Sequence, residues 1–178
     1  MGCINKIDTK VQAIIAYGHD ILRKTCIDIS NNEKGLNLLI KNLWDTLESS
    51  GGVGLAAPQI NSIYKVFVVN SKLVYDSLTD TQQKVLFSGE KGIRETFINA
   101  KLITFSEETW KETEGCLSIP GINEPVNRSW GIIIEYEDIN FNLRRKQFLG
   151  YTARVIQHEY DHTNGILFIL PQVGNLFF

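Results

Sequence analysis

Two histidines and a glutamate near the C-terminal end of the chain have the spacing of a metal-binding helix. His158 and His162 are four residues apart, and Glu159 directly follows the first of them. Residues four apart lie on one face of an α-helix, so both imidazoles can hold one metal ion while the glutamate serves a metal-bound water. The same spacing also occurs on helices whose histidines only pack or face solvent. The rest of the chain must therefore decide between a metal-dependent hydrolase and an ordinary helix.

A catalytic zinc-type site takes three protein ligands and leaves one position for water, so a third ligand is needed. Two common classes of His-Glu-x-x-His hydrolase place it downstream, as a histidine six residues after the second one or as a carboxylate. Here the residue six positions after His162 is Phe168, and no Asp, Glu, His or Cys follows His162. The third ligand must lie upstream, where His19 and the three cysteines are the candidates.

Cys116 has the most suggestive surroundings of these candidates. It follows Glu114 and Gly115 at the end of a predicted strand and enters a turn rich in Pro and Gly. Such a turn can present a thiolate together with an exposed backbone N–H. Because burial in a core is the commonest fate of a free cysteine, the residues alone leave a ligand and a packing role as equal alternatives. His19 follows a glycine and is interpreted as a turn or surface residue.

The predicted elements that would position these residues are two helices and five strands. Apolar residues recur at helical spacing over 36–49, and the second helix covers 151–164 with Gly165 as its stop. Strands rich in β-branched and aromatic residues are predicted at 63–70, 97–105, 108–114, 130–136 and 143–148. The polar residues 71–92 are predicted to be a surface insertion. With no repeat and no linker, residues 1–178 are predicted to form a single catalytic domain.

A glycine-rich loop separates the first predicted helix from the first strand. Gly51, Gly52 and Gly54 precede a Leu-Ala-Ala-Pro segment that ends at Gln59. Three glycines in four residues indicate unusual backbone torsions or a close approach to another group. No Gly-Lys-Ser/Thr follows, so this is not a phosphate-binding loop. Either the loop is a flexible connector or it packs tightly against another part of the protein.

Composition excludes several classes of protein. The chain has 178 residues with 18 basic and 20 acidic side chains, and it has no clustered basic surface of the kind that nucleic acids need. No apolar run approaches the ~20 residues that span a bilayer, and residues 1–10 lack the apolar centre of a secretory signal. The three cysteines, which are Cys3, Cys26 and Cys116, cannot all pair. We therefore expect a reducing, cytoplasmic location, with an organelle as the alternative, and neither a membrane nor a direct nucleic-acid contact.

Three segments of the chain together resemble the peptide deformylase family. They are Gly-Val-Gly-Leu-Ala-Ala-Pro-Gln at 52–59, Glu-Gly-Cys-Leu-Ser at 114–118 and Gln-His-Glu-Tyr-Asp-His at 157–162, in the order that the family has. The resemblance runs from about residue 17 to residue 168. It implies an α+β fold with antiparallel sheets packed around a central helix that carries the HExxH motif. It also implies an enzyme that removes the N-formyl group from the N-terminal formylmethionine of newly made polypeptides and releases formate.

The resemblance also implies the residues that carry the reaction. Its metal ligands are Cys116, His158 and His162. Attack by metal-bound hydroxide would use Glu159 as the acid/base, while Gln59 and the backbone N–H of Leu117 would hold the formyl oxygen. The resemblance further implies that Glu114 is a structural acid paired with Arg128. Asp161 is predicted to orient a metal ligand from behind, because ligating imidazoles need such a partner.

The predicted substrate-binding residues lie in the same three segments and one helical turn before His158. Gly54 matches a family glycine whose backbone approaches the substrate, and Gly115 lies beside Cys116. The side chain of formylmethionine needs an apolar slot, for which the candidates are Val53, Leu55, Tyr151 and Val155. Ordinary core packing is the alternative for each of these four.

The cofactor is expected to be one divalent metal ion. A thiolate ligand suits Fe²⁺ or Zn²⁺ and disfavours Mg²⁺ or Ca²⁺, and the resemblance favours iron (Fe²⁺) with Zn²⁺, Ni²⁺ or Co²⁺ as substitutes. The expected partners are N-formylmethionyl peptides. The C-terminal helix of many bacterial relatives has no counterpart here, so at most a weak ribosome contact is expected. A zinc endopeptidase and a non-catalytic relative that binds N-termini are the alternative functions.

Overall fold

The structure, a computed structural model, describes residues 11–169. Its helices are α1 (Leu36–Ser50), α2 (Lys72–Ser77), α3 (Asp80–Phe87) and α4 (Gly150–Thr163). Its strands are β1 (Gly54–Ala56), β2 (Val66–Asn70), β3 (Arg94–Phe105), β4 (Thr109–Cys116), β5 (Ile119–Ser129), β6 (Gly131–Glu137) and β7 (Leu143–Leu149). In that part of the chain no helix is long and apolar enough to cross a bilayer. Cys3 lies outside the described residues, as does the last residue of the apolar run that the sequence has at 166–170.

Two antiparallel sheets confirm the predicted α+β class. The larger sheet has the strand order β1-β2-β3-β6-β7, and β4 pairs with β5 in a separate two-stranded sheet. The helix α4 packs on the larger sheet, where Ala153 and Ile156 join a core cluster with Phe67, Phe97 and Ile134. Ten of the 14 residues of α4 are buried, so its polar side chains are held away from bulk water.

The helix α1 is confirmed at the predicted place and covers the other side of β2. Its apolar stripe buries Leu43 and Leu47 against Val66 and Val68 in a second core cluster. The helix ends at Gly51, whose φ of 67° is the left-handed conformation that stops many helices. This stop turns the chain directly into the glycine-rich loop and β1.

Residues 71–92 lie mostly at the surface, as predicted, and they also form two helices that were not predicted. They contain α2 and α3, and Phe87 at the end of α3 is completely buried. A capping box starts α3, because the Thr79 hydroxyl accepts a hydrogen bond from the Gln82 N–H and the Gln82 side chain accepts one from the Thr79 N–H. The Thr-Asp-Thr-Gln sequence at 79–82 is the signal that could have predicted this helix.

The strand β5 was also missed by the sequence reasoning, since a turn was expected after Cys116, and so was the short strand β1. The two-stranded sheet offers β5 almost no apolar face, and residues 120–125 are all exposed. Alternation of apolar and polar residues therefore gives no signal there. Pro120 and Pro125 also argue against a strand by sequence, although a strand at the edge of a sheet tolerates proline.

We expect Gly150→Ala to destabilise the protein by more than the left-handed backbone alone would explain. Gly150 has a φ of 53°, and an added Cβ would lie on the backbone carbonyl oxygen of Leu86 in α3. Left-handed backbone costs a residue with a Cβ about 1–2 kcal/mol, and this overlap adds to that cost. Urea unfolding followed by circular dichroism measures the loss.

Gly51→Ala is the matched control, because Gly51 has a φ of 67° and open space around its Cβ position. It should lose only about 1–2 kcal/mol of unfolding free energy. Equal losses in the two variants would show that α3 does not press on the start of α4.

Candidate active site

The structure brings the three predicted metal ligands together. The ligand atoms of Cys116, His158 and His162 all lie within 4.8 Å of one another, and the Cys116 Sγ is 3.2 Å from the His162 Nε2. Within residues 11–169 this is the one cluster of three or more side chains of metal-ligating type. One sulfur and two imidazole nitrogens are donors that suit a soft or borderline divalent ion. The cluster is thus a possible metal site whose chemistry fits such an ion.

The register between β4 and β5 changes at Cys116. It is regular up to Gly115, which lies opposite Asn123, and it then shifts so that Cys116 lies opposite Ile119. Cys116 is the last residue of β4, and its Sγ lies 3.2 Å from the Nε2 of His162 on α4. His158 lies one helical turn before His162 on the same helix.

The carboxylate of Glu114 fixes the orientation of His158. Its Oε2 lies 2.9 Å from the Nδ1 of His158, which leaves the Nε2 of that ring for a metal. Arg128 binds the same carboxylate through two atoms, with its Nε 2.6 Å from Oε1 and its Nη2 2.9 Å from Oε2. Burial raises the pKa of Glu114, but the hydrogen bonds with His158 and Arg128 outweigh it and lower the pKa to about 2. Glu114 is therefore ionised at neutral pH, as a carboxylate that orients a ligating imidazole should be.

Arg154 is a residue of this site that the sequence reasoning missed. It is 4% exposed, lines the cavity and donates from Nη1 to the Oε1 of Glu114 at 2.5 Å. Its Nη2 donates to the backbone carbonyl oxygens of Trp110 and Val126, one on each strand of the β4–β5 sheet. The available signal was its position four residues before His158, which puts a charged side chain on the buried face of the helix.

Asp161 contacts a residue behind the predicted metal ligands and does not orient a ligand directly, contrary to the prediction. Its Oδ2 accepts a hydrogen bond of 2.8 Å from the Nη1 of Arg128, and within residues 11–169 it forms no hydrogen bond with an imidazole. It therefore supports Arg128, while Glu114 is the group that contacts His158. The predicted pairing of Glu114 with Arg128 is confirmed.

Glu159 is buried beside the cluster and has a free oxygen. It is 4% exposed, and its Oε2 has no hydrogen-bond partner among the described residues. Burial raises the pKa of Glu159 to about 7. A Cβ at Gly54 would overlap the Glu159 carboxylate, so the loop can approach this closely only with glycine there. The glycine-rich loop is accordingly packed against the site and is not a free connector.

The side-chain amide nitrogen of Gln59 lies next to the Cys/His/His cluster. It lies in a short 3₁₀ helix, Ala57–Ile60, and is 2% exposed. Its Oε1 accepts a hydrogen bond of 2.8 Å from the Ala56 N–H, which turns the Nε2 toward the Oγ of Ser118 at 3.2 Å and the Sγ of Cys116 at 3.6 Å. The amide is thus a fixed donor next to the cluster.

A cavity of about 350 Å³ opens onto these groups. Its lining includes Cys116, His158, Glu159 and Gln59, and it includes every predicted substrate-binding residue except Leu55, namely Val53, Gly54, Gly115, Tyr151 and Val155. Leu117 also lines it. His19 is exposed and caps the 3₁₀ helix Asp20–Arg23, as expected of a turn residue.

Leu55 points away from the cavity. It is completely buried in the core cluster of α1 and β2. Successive side chains of a strand point to opposite faces, and the Cα of Gly54 in β1 faces Glu159. The next residue along β1 must therefore face α1, so Leu55 packs in the core instead of lining the predicted slot.

Comparisons with known proteins place this arrangement in a family. The chain matches the family model described as polypeptide deformylase over residues 11–172. It is 44% identical over 155 residues to the peptide deformylase of Flavobacterium psychrophilum, which covers 87% of this chain and 79% of that protein. It is 43% identical over 157 residues to the peptide deformylase of Christiangramia forsetii, and the match covers 87% of this chain and 78% of that protein.

Solved structures agree with the family match. The class I type b peptide deformylase of Acinetobacter baumannii bound to Met-Ala-Ser is 29% identical, with a TM-score of 0.78 over 90% of this chain and 98% of that one. The peptide deformylase of Thermotoga maritima is 30% identical, with a TM-score of 0.74 over 89% of this chain and 95% of that one. Because the family model spans nearly all the residues that fold around this cavity, the chain belongs to the polypeptide deformylase family.

Proposed function

We propose that the protein removes the N-formyl group from the N-terminal formylmethionine of newly made polypeptides and releases formate. The observation that carries the proposal is the buried Glu159 carboxylate, with one oxygen unpartnered among the described residues, directly beside the Cys/His/His cluster. A buried polar atom without a partner is costly, and beside a cluster of metal-ligating side chains a catalytic role explains it. The intact Glu159 also argues against a non-catalytic relative that only binds N-termini.

Cys116, His158 and His162 would hold one divalent ion. When bound there, the ion would act as a Lewis acid and lower the pKa of a bound water molecule. Hydrolysis of a formamide needs this activation because neutral water is a poor nucleophile. The thiolate and two imidazoles favour Fe²⁺, Zn²⁺, Ni²⁺ or Co²⁺ over Mg²⁺ or Ca²⁺. Among these ions the family resemblance favours Fe²⁺ in the cell.

Glu159 moves the proton of the reaction. Its carboxylate accepts a proton from the attacking water as oxygen bonds to the formyl carbon. It then gives that proton to the amine nitrogen as the C–N bond breaks, so that formate and a free N-terminus result. A pKa of about 7 for Glu159, raised by burial, suits a group that must both accept and donate a proton near neutral pH.

Two fixed donors stabilise the charge that develops on the formyl oxygen. The Nε2 of Gln59 is held by the hydrogen bond between its own Oε1 and the Ala56 N–H, so it does not need to reorient during the reaction. The N–H of Leu117, next to Cys116 on the cavity wall, is the second donor in the proposal. Gly54 and Gly115 line the same cavity and would let the backbone of an extended peptide lie close.

The first side chain of the substrate would enter the apolar end of the cavity. Val53, Tyr151 and Val155 line that end, and Tyr151 and Val155 are one helical turn apart on α4. A methionine side chain is unbranched and apolar, so it fits a slot of this kind. The cytoplasmic location and the weak ribosome contact stay predictions.

Glu159→Gln should retain bound metal and lose about 10²–10⁴-fold in the rate of formate release from a formyl-Met peptide, because the amide cannot carry the proton. A coupled formate dehydrogenase assay under anaerobic conditions with added Fe²⁺ measures the rate, and elemental analysis measures the metal. Glu107→Gln, in an exposed turn, should behave like the wild type. Turnover by Glu159→Gln at the wild-type rate would contradict the proposed mechanism.

Cys116→Ala should weaken metal binding by more than about 100-fold, since even residues behind the ligands typically cost 10–100-fold. Metal content after dialysis against a weak chelator measures the loss. The control is Cys26→Ala, because Cys26 is buried and its burial raises the pKa of the thiol to about 11, so it stays protonated. An unchanged metal content in Cys116→Ala would remove Cys116 from the ligand set.

Gln59→Leu should lower kcat by about 10²–10³-fold, which is the usual cost of losing one donor to a developing oxyanion. Steady-state formate release with a formyl-Met peptide separates kcat from KM. Ser118→Ala removes the Oγ that lies 3.2 Å from the Nε2 of Gln59 but keeps the amide donor, so it should lose much less activity. Equal kcat values for Gln59→Leu and the wild type would show that another group holds the formyl oxygen.

A further inference from the structure

We infer that residues 71–90, here called the α2–α3 insertion, set the width of the slot that receives the first side chain of the substrate. The insertion would do so by fixing the ring of Tyr151 from behind, with Phe87 as the positioning residue. This inference rests on the proposed deformylase function, and it adds a specificity determinant that lies outside the three segments shared with the family.

The insertion contacts three consecutive residues at the start of α4. The carbonyl of Leu86 occupies the space that a side chain at Gly150 would need. The Phe87 ring lies 5.6 Å from the Tyr151 ring, centroid to centroid, at 48°. The Oγ of Ser71 and the Oγ1 of Thr152 lie 2.9 Å apart, and both residues are completely buried.

Tyr151 transmits this contact to the cavity. Its side chain lines the cavity together with Val155 and His158, which follow it by four and seven residues on the same face of α4. Among residues 11–169 no hydrogen bond to the Tyr151 hydroxyl is formed, so in this part of the chain the ring is positioned mainly by packing, which includes the Phe87 ring. The position of that packing surface therefore decides how far the apolar end of the cavity extends.

Phe87 is held firmly enough to act as a fixed surface. It is completely buried, and its ring meets the Tyr75 ring edge-on with centroids 5.2 Å apart. The Nε2 of Gln83 donates to the carbonyl oxygens of Tyr75 and Leu78, which ties α3 to α2. Interiors pack as densely as organic crystals, so a smaller side chain at 87 leaves space into which the Tyr151 ring can retreat.

The test compares the kcat/KM values of two substrates, measured with the full-length, metal-loaded protein. Phe87→Leu should raise the kcat/KM of formyl-Phe-Ala-Ser relative to formyl-Met-Ala-Ser by about tenfold, since one methylene-sized change in an apolar pocket is typically worth 10–200-fold. The ratio is independent of how much of the variant is folded, because the same active molecules process both peptides. Phe87→Met, which removes a similar volume, should shift the ratio in the same direction by a similar factor.

Two further variants separate positioning from a general structural role. Val85→Ala lies in the same helix on a side chain that is 63% exposed, and it should leave the ratio unchanged. In a Tyr151→Leu background, Phe87→Leu should no longer change the ratio, because its effect passes through the ring. A ratio within twofold of the wild type in both Phe87 variants would overturn the inference while leaving the proposed function standing. Absence of formate release from the wild type would overturn the proposed function, and this inference with it.

Discussion

A single buried carboxylate, that of Glu114, joins the two parts of the chain that form the site. It belongs to β4, two residues before Cys116, and it meets the Nδ1 of His158 on α4 at 2.9 Å. A buried charge requires charged or hydrogen-bonding partners, and Arg128 and Arg154 supply them. Arg154 also binds carbonyl oxygens on both strands of the β4–β5 sheet. The sheet that carries the thiol and the helix that carries the imidazoles are thereby held in one arrangement.

The pKa values of two glutamates in the same core are shifted in opposite directions by their surroundings. Glu114 belongs to a network in which two carboxylates, its own and that of Asp161, face the two guanidinium groups of Arg128 and Arg154. Its hydrogen bonds overcome the effect of burial and lower its pKa to about 2, whereas burial dominates at Glu159 and raises its pKa to about 7. Environments that push the pKa values of neighbouring acids apart divide their roles. In the proposed mechanism, the Glu114 carboxylate stays an anion that orients a ligand, and the Glu159 carboxylate exchanges a proton.

The sequence was informative where function constrains residue types and spacing, and it was poor where a contact depends on distant partners. The histidine pair could be selected from its spacing, and α1 and α4 follow from helical periodicity. For Cys116 the residues alone left a ligand role and a packing role as equal alternatives, and only the resemblance to the deformylase family favoured the ligand role. Arg154 escaped notice because an arginine inside a helix usually faces solvent, and only Glu114, 40 residues away in the chain, explains its burial. Leu55 was misplaced because the loop was not recognised as entering a strand, so the alternation of its side chains could not be applied.

The first turn of α4 lines the cavity and a later turn carries the histidines, and each of these turns is held by a different part of the chain. The first turn, with Tyr151, is held by the α2–α3 insertion, whereas His158 is held by Glu114 and the β4–β5 sheet. Because different parts of the chain hold Tyr151 and His158, we expect changes behind Tyr151 to reshape the cavity beside that ring without disturbing Glu114 or the ligands. A metal centre that depends on an exact charge arrangement can in this way coexist with a slot whose walls are set by packing.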